Sequence, residues 1–347
     1  GNNITLALSM NILLSCAGRR NYLVNYFKTA LHGSGKVIAT DMQINAPALV
    51  DADVAIKVDS IYHPGYVDQI ITICKDYDIR LLISLNDLEL PIIAKQKHRI
   101  EKMGVKVVVS DINVIDICFD KWKTTQFLKE IGLATPKTFI DIDKALEAVA
   151  TGDMLFPVVV KPRWGSASIG IEFVDSGEEL LMAYQLLDIR LRKSILANAS
   201  NADADHAILI QEKINGQEYG MDVLNNLSGK FVKAFSKKKL AMRAGETDKS
   251  VSVENKSLSD IGKILGEKLG HIGNLDCDVF ETANGYYILE LNPRFGGGYP
   301  FTYEAGADFA AVLIEWVKGN KDVEYFLQFR IGEAYSKYDK LMRVPQE

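Results

Sequence analysis

The chain has 347 residues, of which 48% are hydrophobic and 24% charged, and its formal net charge is −5. This length accommodates two or three domains, and the composition is that of an ordinary globular protein. The negative balance gives no electrostatic reason to expect nucleic acid or an anionic membrane surface as a partner.

The cysteines and the first apolar run indicate the compartment. Cys16, Cys74, Cys118 and Cys277 form neither a CxxC pair nor a dense framework, which argues against structural zinc and disulfides. Residues 13–16 look like the end of a lipoprotein signal, but no positive residue precedes them and the apolar run is too short to span a bilayer. We therefore expect a cytoplasmic protein.

Residues 10–110 alternate between apolar strand patterns and amphipathic helix patterns. Near-continuous apolar strands separated by helices predict a parallel sheet that is covered on both faces. Ligands of such sheets bind at the carboxyl ends of the strands. The strand patterns lie at residues 11–15, 36–40, 54–58, 80–84 and 105–110, and the helix patterns at 22–31, 66–77 and 88–103.

Polar residues at these strand ends allow several interpretations. Gly18 in the first turn and Asp41 after the second strand suggest a dinucleotide site, but the fingerprint needs three glycines where this turn has one. Arg19 and Arg20 in the same turn either contact an anion or lie in a solvated turn. After the fourth strand, Asp87 and its neighbours either form a substrate rim or, in the case of Asp87, cap the next helix.

Two lysines in the middle of the chain are candidates for phosphate contacts. Lys121 begins a predicted helix, where a cation opposes the helix dipole and an anionic ligand would explain it. Lys161 ends the predicted strand 158–161 and precedes a loop of small residues that can approach phosphates and move as a lid. The alternative for Lys161 is a strand-end lysine that reaches solvent. A P-loop is excluded because no GxxxxGK[ST] motif occurs.

A helix pattern at 178–195 and a polar loop precede a long predicted strand that begins at residue 206 and continues through an Asn-Gly bend to 224. The bend can present bare amide and carbonyl groups to a flat base, with Glu218 placed to accept hydrogen bonds from ribose hydroxyls. The alternative is an ordinary hinge. A strand at 230–236 and a helix at 258–269 follow.

A late hairpin collects the strongest candidates. Two β-rich runs flank an Asn-Gly pair, and on the second run Glu290 and Asn292 share a face because side chains alternate along a strand. Asp278 joins that face if residues 283–285 form a three-residue loop with Gly285 left-handed, which is what we expect. A two-residue loop would turn Asp278 away.

The hairpin would offer two carboxylates and an amide oxygen, with Arg294 just beyond the strand end. Hard oxygen ligands of this kind suit Mg²⁺, which completes its shell with substrate phosphates and water. The alternative is a solvated polar face, which is common on antiparallel sheets. After the hairpin we predict a helix at 308–318 and strands at 325–331 and 339–344.

The order of these features resembles the ATP-grasp superfamily. The resemblance is carried by Lys161 before the small-residue loop, the run Gln-Glu-Lys-Ile-Asn-Gly-Gln-Glu-Tyr that ends at Tyr219, and Asp278 followed by Glu-Leu-Asn-Pro-Arg ending at Arg294. The hairpin and Asp120-Lys121 look like a synthetase unit of the carbamoyl phosphate synthase large chain and related carboxylate–amine ligases. Residues 243–246 and 296–298 look more like amino-acid ligases, including the one that joins lysine to methylornithine.

This resemblance implies an α/β fold in two parts. An N-terminal parallel-sheet, Rossmann-like pre-ATP-grasp domain would span residues 10–111 and a helical connector 112–155. A two-lobed α+β ATP-grasp domain would follow, with the small lobe or lid at 156–225 and the large lobe with the metal site at 226–347.

The resemblance also implies a role for each candidate residue. Lys121 and Lys161 would hold the ATP phosphates, with Lys161 also assisting catalysis, and Gly165, Ser166 and Gly170 would close over them. The backbone of Glu212 and Ile214 would meet adenine, and Glu218 the ribose. Asp278, Glu290 and Asn292 would bind two Mg²⁺ or Mn²⁺ ions, and Arg294 would steady the transferring phosphoryl group or the acceptor carboxylate.

The expected function is therefore an ATP-dependent ligase that activates a small carboxylate as an acyl phosphate and joins it to an amine or ammonia. The partners would be a small carboxylic acid and an amine, amino acids among them, without nucleic acid or membrane; homodimer formation is left open. A complete carbamoyl phosphate synthase reaction is not expected, because the chain holds one grasp unit where the full large chain carries two. The alternatives are a nucleotide-binding protein without ligase turnover and an oxidoreductase.

Overall fold

The computed structural model describes residues 9–165, 170–193 and 201–346, and it begins with a parallel sheet. The five strands are all parallel, as the alternating pattern predicts, and they lie in the order β3-β2-β1-β4-β5. They are β1 (Asn11–Ser15), β2 (Val37–Asp41), β3 (Val54–Lys57), β4 (Ile79–Ser84) and β5 (Lys106–Val108), with helices α1 (Asn21–Leu31), α2 (Pro47–Asp51), α3 (Tyr66–Asp76) and α4 (Leu90–Glu101) between them.

Strand alternation explains why both faces of this sheet are covered. Successive side chains of β1 point to opposite faces, so Ile12 and Leu14 pack with Phe27 of α1, whereas Leu13 packs with Tyr66 of α3. The carboxyl ends of β1 and β4 lie side by side because these strands are neighbours in the sheet. The loops that carry Arg20 and Asp87 therefore start from one edge.

A helical connector leads into a four-stranded sheet with the order β6-β9-β7-β8. Asp120 caps the second connector helix, since its carboxylate accepts hydrogen bonds from the backbone N–H groups of Trp122 and Lys123. The elements are α5 (Ile112–Phe119), α6 (Lys121–Glu130), β6 (Thr138–Phe139), α7 (Ile142–Thr151), β7 (Val158–Pro162), β8 (Glu172–Val174), α8 (Gly177–Lys193) and β9 (Ile208–Glu212).

A six-stranded sheet forms the remainder, in the order β14-β13-β10-β11-β12-β15. All its pairings are antiparallel. Its strands are β10 (Gln217–Asn225), β11 (Phe231–Arg243), β12 (Glu246–Val253), β13 (Gly273–Thr282), β14 (Gly285–Asn292) and β15 (Ala334–Ser336); the helices are α9 (Lys256–Leu269), α10 (Tyr299–Glu304) and α11 (Phe309–Val317).

The expected lobe boundaries at residues 156 and 225 differ from the sheet membership. Strand β10 pairs with β11 on one side and β13 on the other, so it belongs to the large sheet although we placed it in the small lobe. The cause is the bend at residues 213–216, which contains the predicted Asn-Gly pair: β9 ends before it, and the strand after it joins the other sheet. Strand β6, placed in the connector, pairs with β9 in the small sheet.

Beyond residue 230 one strand was missed and two predicted strands are wrong. Strand β11 continues through the lysine run and returns as β12, which we did not predict. The turn between them is tight because Ala244 and Gly245 both have positive φ, 51° and 77°. The predicted strands 325–331 and 339–344 do not form; instead β15 pairs with β12.

The N-terminal sheet and the large sheet share one core. Tyr26 of α1 stacks on Tyr303 of α10 with ring centroids 3.6 Å apart, and both N-terminal and C-terminal residues belong to the same buried cluster. This packing fixes the loops after β1 and β4 over one face of the large sheet. Among the described residues, the helices are all too short or too polar to cross a bilayer.

Candidate active site

One face of the six-stranded sheet carries charged side chains. Along β10 and β13, alternate residues such as Met221, Val223, Leu275 and Cys277 pack against α9 in a buried cluster. Their neighbours must then point to the opposite face. That face presents Glu218, Gly220 and Asp222 from β10, Lys237 and Lys239 from β11, Asp276 and Asp278 from β13, and Glu290 and Asn292 from β14.

Asp278 pairs with Glu290, as predicted, but the expected three-residue loop is wrong. Thr282 pairs with Gly285, so the turn has two residues, and Val279 pairs with Ile288. The pairing then shifts by one, which makes Leu289 the extra residue of a β-bulge.

The bulge places Glu290 on the charged face. Ile288 and Leu291 both pack in the buried cluster although they are three residues apart, which is possible only because Leu289 breaks the alternation. The backbone of Ile288 is held by the chain after α6: its N–H donates to the carbonyl of Ala134 at 2.8 Å, and its carbonyl accepts from Thr135 Oγ1 at 3.0 Å.

Lys239 links two carboxylates of this face. Its Nζ lies 2.7 Å from Glu218 Oε1 and 2.8 Å from Asp278 Oδ1. Burial opposes the charge of Lys239, but the two carboxylates raise its pKa above the usual value. Burial also raises the pKa of Glu218. The charge and the hydrogen bond of Lys239 oppose this shift of the Glu218 pKa.

Two lysines interact with Glu290: Lys121 at the start of helix α6 and Lys161 on strand β7 of the small sheet. Lys121 Nζ lies 3.5 Å from Glu290 Oε1, so an anionic partner does meet this lysine at the helix start. Lys161 is buried and donates to Gln211 Oε1 at 2.9 Å, which excludes the solvent-reaching alternative. Burial lowers the pKa of Lys161 to about 8, while Glu290 opposes this shift.

Arg294 bridges the two halves of the molecule. Its guanidinium donates to Asp87 Oδ2 at 2.8 Å and lies 3.5 Å from Asp276 Oδ2. Burial opposes its charge, but the carboxylates of Asp87 and Asp276 raise the pKa of Arg294 overall. Helix capping by Asp87 is wrong, because α4 has Glu89 at its N-cap and no side-chain cap. Asp87 instead forms part of the rim.

Lys237 belongs to a buried polar network beneath this site. Its Nζ donates to Asp222 Oδ2 at 2.8 Å and to Thr302 Oγ1 at 3.0 Å. Asp222 also accepts from Thr302 and from Asn274 Nδ2, at 2.5 and 2.9 Å. Lys237 nevertheless reaches the edge of the cavity described next.

A cavity of about 170 Å³ lies between this sheet face and the N-terminal loops. Its walls come from the loop after β1, the loop after β4, the β11–β12 turn and the glycine-rich segment after β14. Arg20 lies in it together with Glu246, so the solvated-turn alternative for Arg20 is wrong. Asp41 accepts from the Gly18 N–H at 2.9 Å and so stabilises the first turn.

The residues predicted for the nucleotide end lie around the small sheet. Gly165 lines a narrow cleft with Lys121 and Asn292. Gly170 precedes β8 with φ of 73°, whereas Ser166 lies outside the described residues. The contacts of these residues with phosphate, adenine and ribose stay predictions.

The two residues predicted to contact adenine differ in whether their backbone groups already make hydrogen bonds. Both the N–H and the carboxylate of Glu212 are engaged by the backbone of Lys137. The amide of Ile214 makes no hydrogen bond within the described parts of the chain. Glu218 is held by Lys239 rather than standing alone.

Several residues of the site were missed from the sequence. Asp276 lies two positions before Asp278, so strand alternation alone was enough to find it. Lys239 required the register between three strands, and the contact of Asp87 with Arg294 joins residues 207 positions apart. The missed residues are Gln211, Asp222, Lys237, Lys239, Glu246 and Asp276.

The donor set fits a hard divalent cation. Asp278 and Glu290 provide carboxylates on paired positions, and Asn292 adds an amide oxygen at the cavity. In the described part of the chain, no three His, Cys, Asp or Glu residues cluster closely enough to hold a metal by themselves. Mg²⁺ tolerates so few protein ligands because it usually keeps water and takes up substrate phosphates.

Comparison with known families divides the chain in two. A family model described as "PylC-like, N-terminal domain" matches residues 12–108. A model described as "ATP-grasp domain" matches residues 118–298, which is more than half of the chain. Both the resemblance drawn from the sequence and the expected fold class are confirmed.

One similar protein of known family is a carbamoyl phosphate synthase large chain. The carbamoyl phosphate synthase large chain of Pseudothermotoga lettingae is 25% identical over 257 residues, covering 70% of this chain and 22% of that protein. The chain thus spans about a fifth of the length of this relative.

Two solved structures share the fold. The biotin carboxylase domain of Hydrogenobacter thermophilus 2-oxoglutarate carboxylase, crystallised as a dimer with MgADP, ADP and bicarbonate, matches with a TM-score of 0.73 and 15% identity, covering 95% of this chain and 74% of that one. An L-amino acid ligase from Bacillus licheniformis matches with a TM-score of 0.67 and 17% identity, covering 90% of this chain and 76% of that one. At these identities the likeness concerns the fold alone.

Proposed function

Because the chain belongs to the ATP-grasp family, we propose that it is an ATP-dependent ligase that joins a small carboxylate to an amine or ammonia. The observation that carries the proposal is the charged sheet face, where Asp278, Glu290 and Asn292 lie beside the cavity and Lys121 lies 3.5 Å from Glu290. This arrangement can neutralise a triphosphate next to a small substrate.

The reaction would proceed in two steps. A carboxylate oxygen of the acid attacks the γ-phosphorus of ATP, the bond to the β-phosphate oxygen breaks, and ADP leaves. The nitrogen of the amine then attacks the acyl carbon, phosphate leaves with the bonding electrons, and the nitrogen loses a proton. Activation is needed because a free carboxylate would have to expel oxide.

The chain's own residues bind and orient the reactants. Lys121 and Lys161 would bind phosphate oxygens, and Arg294 would hold the acceptor carboxylate or the phosphoryl group in transfer. The loop of Gly165, Ser166 and Gly170 would exclude water, which protects an acyl phosphate from hydrolysis.

The nucleotide would lie between the two sheets. Glu212 and Ile214 would meet adenine and Glu218 the ribose; of these, the amide of Ile214 is free of other hydrogen bonds in the described chain. Asp278, Glu290 and Asn292 would hold two Mg²⁺ or Mn²⁺ ions, which supply neutralising charge to the phosphate oxygens.

The proposal also covers the substrate class, the domain division and the oligomeric state. The substrates would be a small carboxylic acid and an amine, because the cavity is small and lined with charge. The domain division remains a proposal: pre-ATP-grasp residues 10–111, a connector, a small lobe and a large lobe. A homodimer is part of the proposal, since the Hydrogenobacter neighbour was crystallised as a dimer; size-exclusion chromatography with light scattering tests it.

ADP release provides the test of function. Pools of carboxylic acids and amines are incubated with ATP and Mg²⁺, and acid- and amine-dependent ADP release is measured. Glu290→Gln should lower this turnover at least ~100-fold, as expected when charge that stabilises a transition state is removed. Glu281→Gln is the matched control, because Glu281 lies on the same hairpin and does not line the cavity.

The outcomes separate the proposal from its rival. Binding of ATP analogues without turnover in any pool would favour a nucleotide-binding protein that is not a ligase. Full turnover by Glu290→Gln would remove this residue from the site.

A further inference from the structure

Each residue of the glycine-rich segment 296–298 leaves a different charged group uncovered. A Cβ on Gly296 would lie 2.2 Å from Asp276 Oδ2, one on Gly297 2.6 Å from Glu246 Cδ, and one on Gly298 2.8 Å from Lys237 Cε. Side chains in this segment would therefore displace the charged groups or cover them. The bare backbone keeps the groups accessible from the cavity.

Glu246 and Arg20 form the end of the cavity beside Gly297. Arg20 comes from the loop after β1, and its guanidinium lies 3.5 Å from Glu246 Oε1. Lys337, after β15, lies 3.6 Å from Glu246 Oε2. The side chains of Arg20 and Glu246 are 21% and 48% exposed, so a ligand can reach both.

This ion pair is loose enough to open for a ligand. Exposed pairs at such distances contribute little to stability, so replacing one costs little. Arg20 keeps a second contact, because it donates to the Tyr22 hydroxyl at 2.5 Å, and that contact holds the guanidinium in place.

The charges of the pair select the kind of ligand. A simple carboxylate that binds Arg20 would be repelled by Glu246, and a simple amine that binds Glu246 would be repelled by Arg20 and Lys337. A group that carries both charges satisfies both residues and leaves no charge unpaired. An α-amino-acid head group has this property.

We propose that the end of the cavity formed by Arg20 and Glu246 binds the zwitterionic α-amino-acid head of one substrate. The carboxylate of the head binds Arg20 and its ammonium binds Glu246, while the reacting group at the other end of the substrate points toward Arg294 and Asn292. The head therefore does not react and remains free in the product. This inference rests on the proposed function, because it identifies a substrate class for the same cavity.

Calorimetric binding to the whole chain tests it without requiring turnover. With a non-hydrolysable ATP analogue and Mg²⁺ present, the probes are L- and D-forms of aspartate, glutamate, ornithine and lysine. Their analogues lack one head charge: succinate and glutarate lack the ammonium, and butane-1,4-diamine and pentane-1,5-diamine lack the carboxylate. At least one amino acid should bind roughly tenfold or more tightly than its analogues, because each loses a charged contact.

Two variants then locate the head. Arg20→Met and Glu246→Gln should each weaken amino-acid binding by about tenfold or more while the affinity for the ATP analogue stays unchanged. Arg243→Met is the matched control, because Arg243 lies in the same turn region, pairs with Asp339 and does not line the cavity. Unchanged affinity for the ATP analogue also shows that each variant is folded.

The inference is overturned if no amino acid binds, if the analogues bind as tightly, or if both variants keep wild-type affinity. Failure of the proposed function gives a different pattern, in which amino acids bind with the expected selectivity but no pool releases ADP.

Discussion

Replacing Lys237 by Met should destabilise the large sheet, because it removes the positive partner of a buried carboxylate. The side chains of Lys237 and Asp222 are 2% and 0% exposed, and their charged atoms lie 2.8 Å apart. Methionine keeps most of the apolar bulk of lysine, so the main effect is the loss of charge and of two hydrogen bonds.

The expected magnitude follows from the burial of Asp222. Breaking a buried ion pair by removing one partner typically costs about 3–5 kcal/mol, because the remaining charge is uncompensated. Asp222 would keep its hydrogen bonds from Thr302 and Asn274, which places the expected loss near ~3 kcal/mol. The double variant Lys237→Met with Asp222→Asn should lose less than the sum of the single changes, with a coupling of about 1–3 kcal/mol.

Urea unfolding followed by circular dichroism measures these changes. The m-value of each variant should match the wild type, since a changed slope would mean a different unfolding reaction. Lys238→Met is the matched control: this lysine follows directly on β11, points to the opposite face and should cost less than about 1 kcal/mol. A loss below ~1 kcal/mol for Lys237→Met, or strictly additive losses in the double variant, would refute the argument from buried charge.

The remaining predictions concern Lys161 and Asp87. Burial lowers the pKa of Lys161 to about 8, so the free protein loses this charge as the pH rises through 8. Affinity for an ATP analogue, measured by calorimetry, should therefore fall above pH 8 by up to about tenfold per pH unit, and Lys161→Met should abolish this dependence; an equal pH dependence in the variant would contradict it. Because an unfolded lysine keeps its proton to about pH 10.4, the same shift makes the free energy of unfolding rise between pH 8 and that value. Asp87→Asn should lower kcat about tenfold with the KM for ATP unchanged, because Arg294 loses the charged group that orients it; a change in the KM for ATP alone, in the ADP-release assay, would exclude this positioning role.

Sequence patterns were sufficient where the information is local. Glu290 and Asn292 share a face because they are two apart on a strand, and the alternation of strands and helices gave the N-terminal sheet. The pairing of Asp278 with Glu290 was correct for a wrong reason. The offset arises at Leu289, where packing of Ile288 and contacts with Ala134 decide the backbone path.

The rest of the site depends on contacts between distant segments. Lys239 meets Glu218 and Asp278 only through the register of three strands. Arg294 meets Asp87 only because the two domains pack together. The bend after β9 was visible as an Asn-Gly pair, but which sheet the next strand joins is a tertiary choice that local propensity does not determine.

The bulge at Leu289 separates the tip of the β13–β14 hairpin from its base. Ala283 and Asn284 are exposed at the tip, whereas the offset that aims Glu290 is generated beside Glu290 itself. Paired insertions at the tip therefore lengthen this arm without moving the carboxylates at its base. The tip of the hairpin is therefore a suitable place to insert a tag, a probe or a foreign loop while the protein keeps its activity.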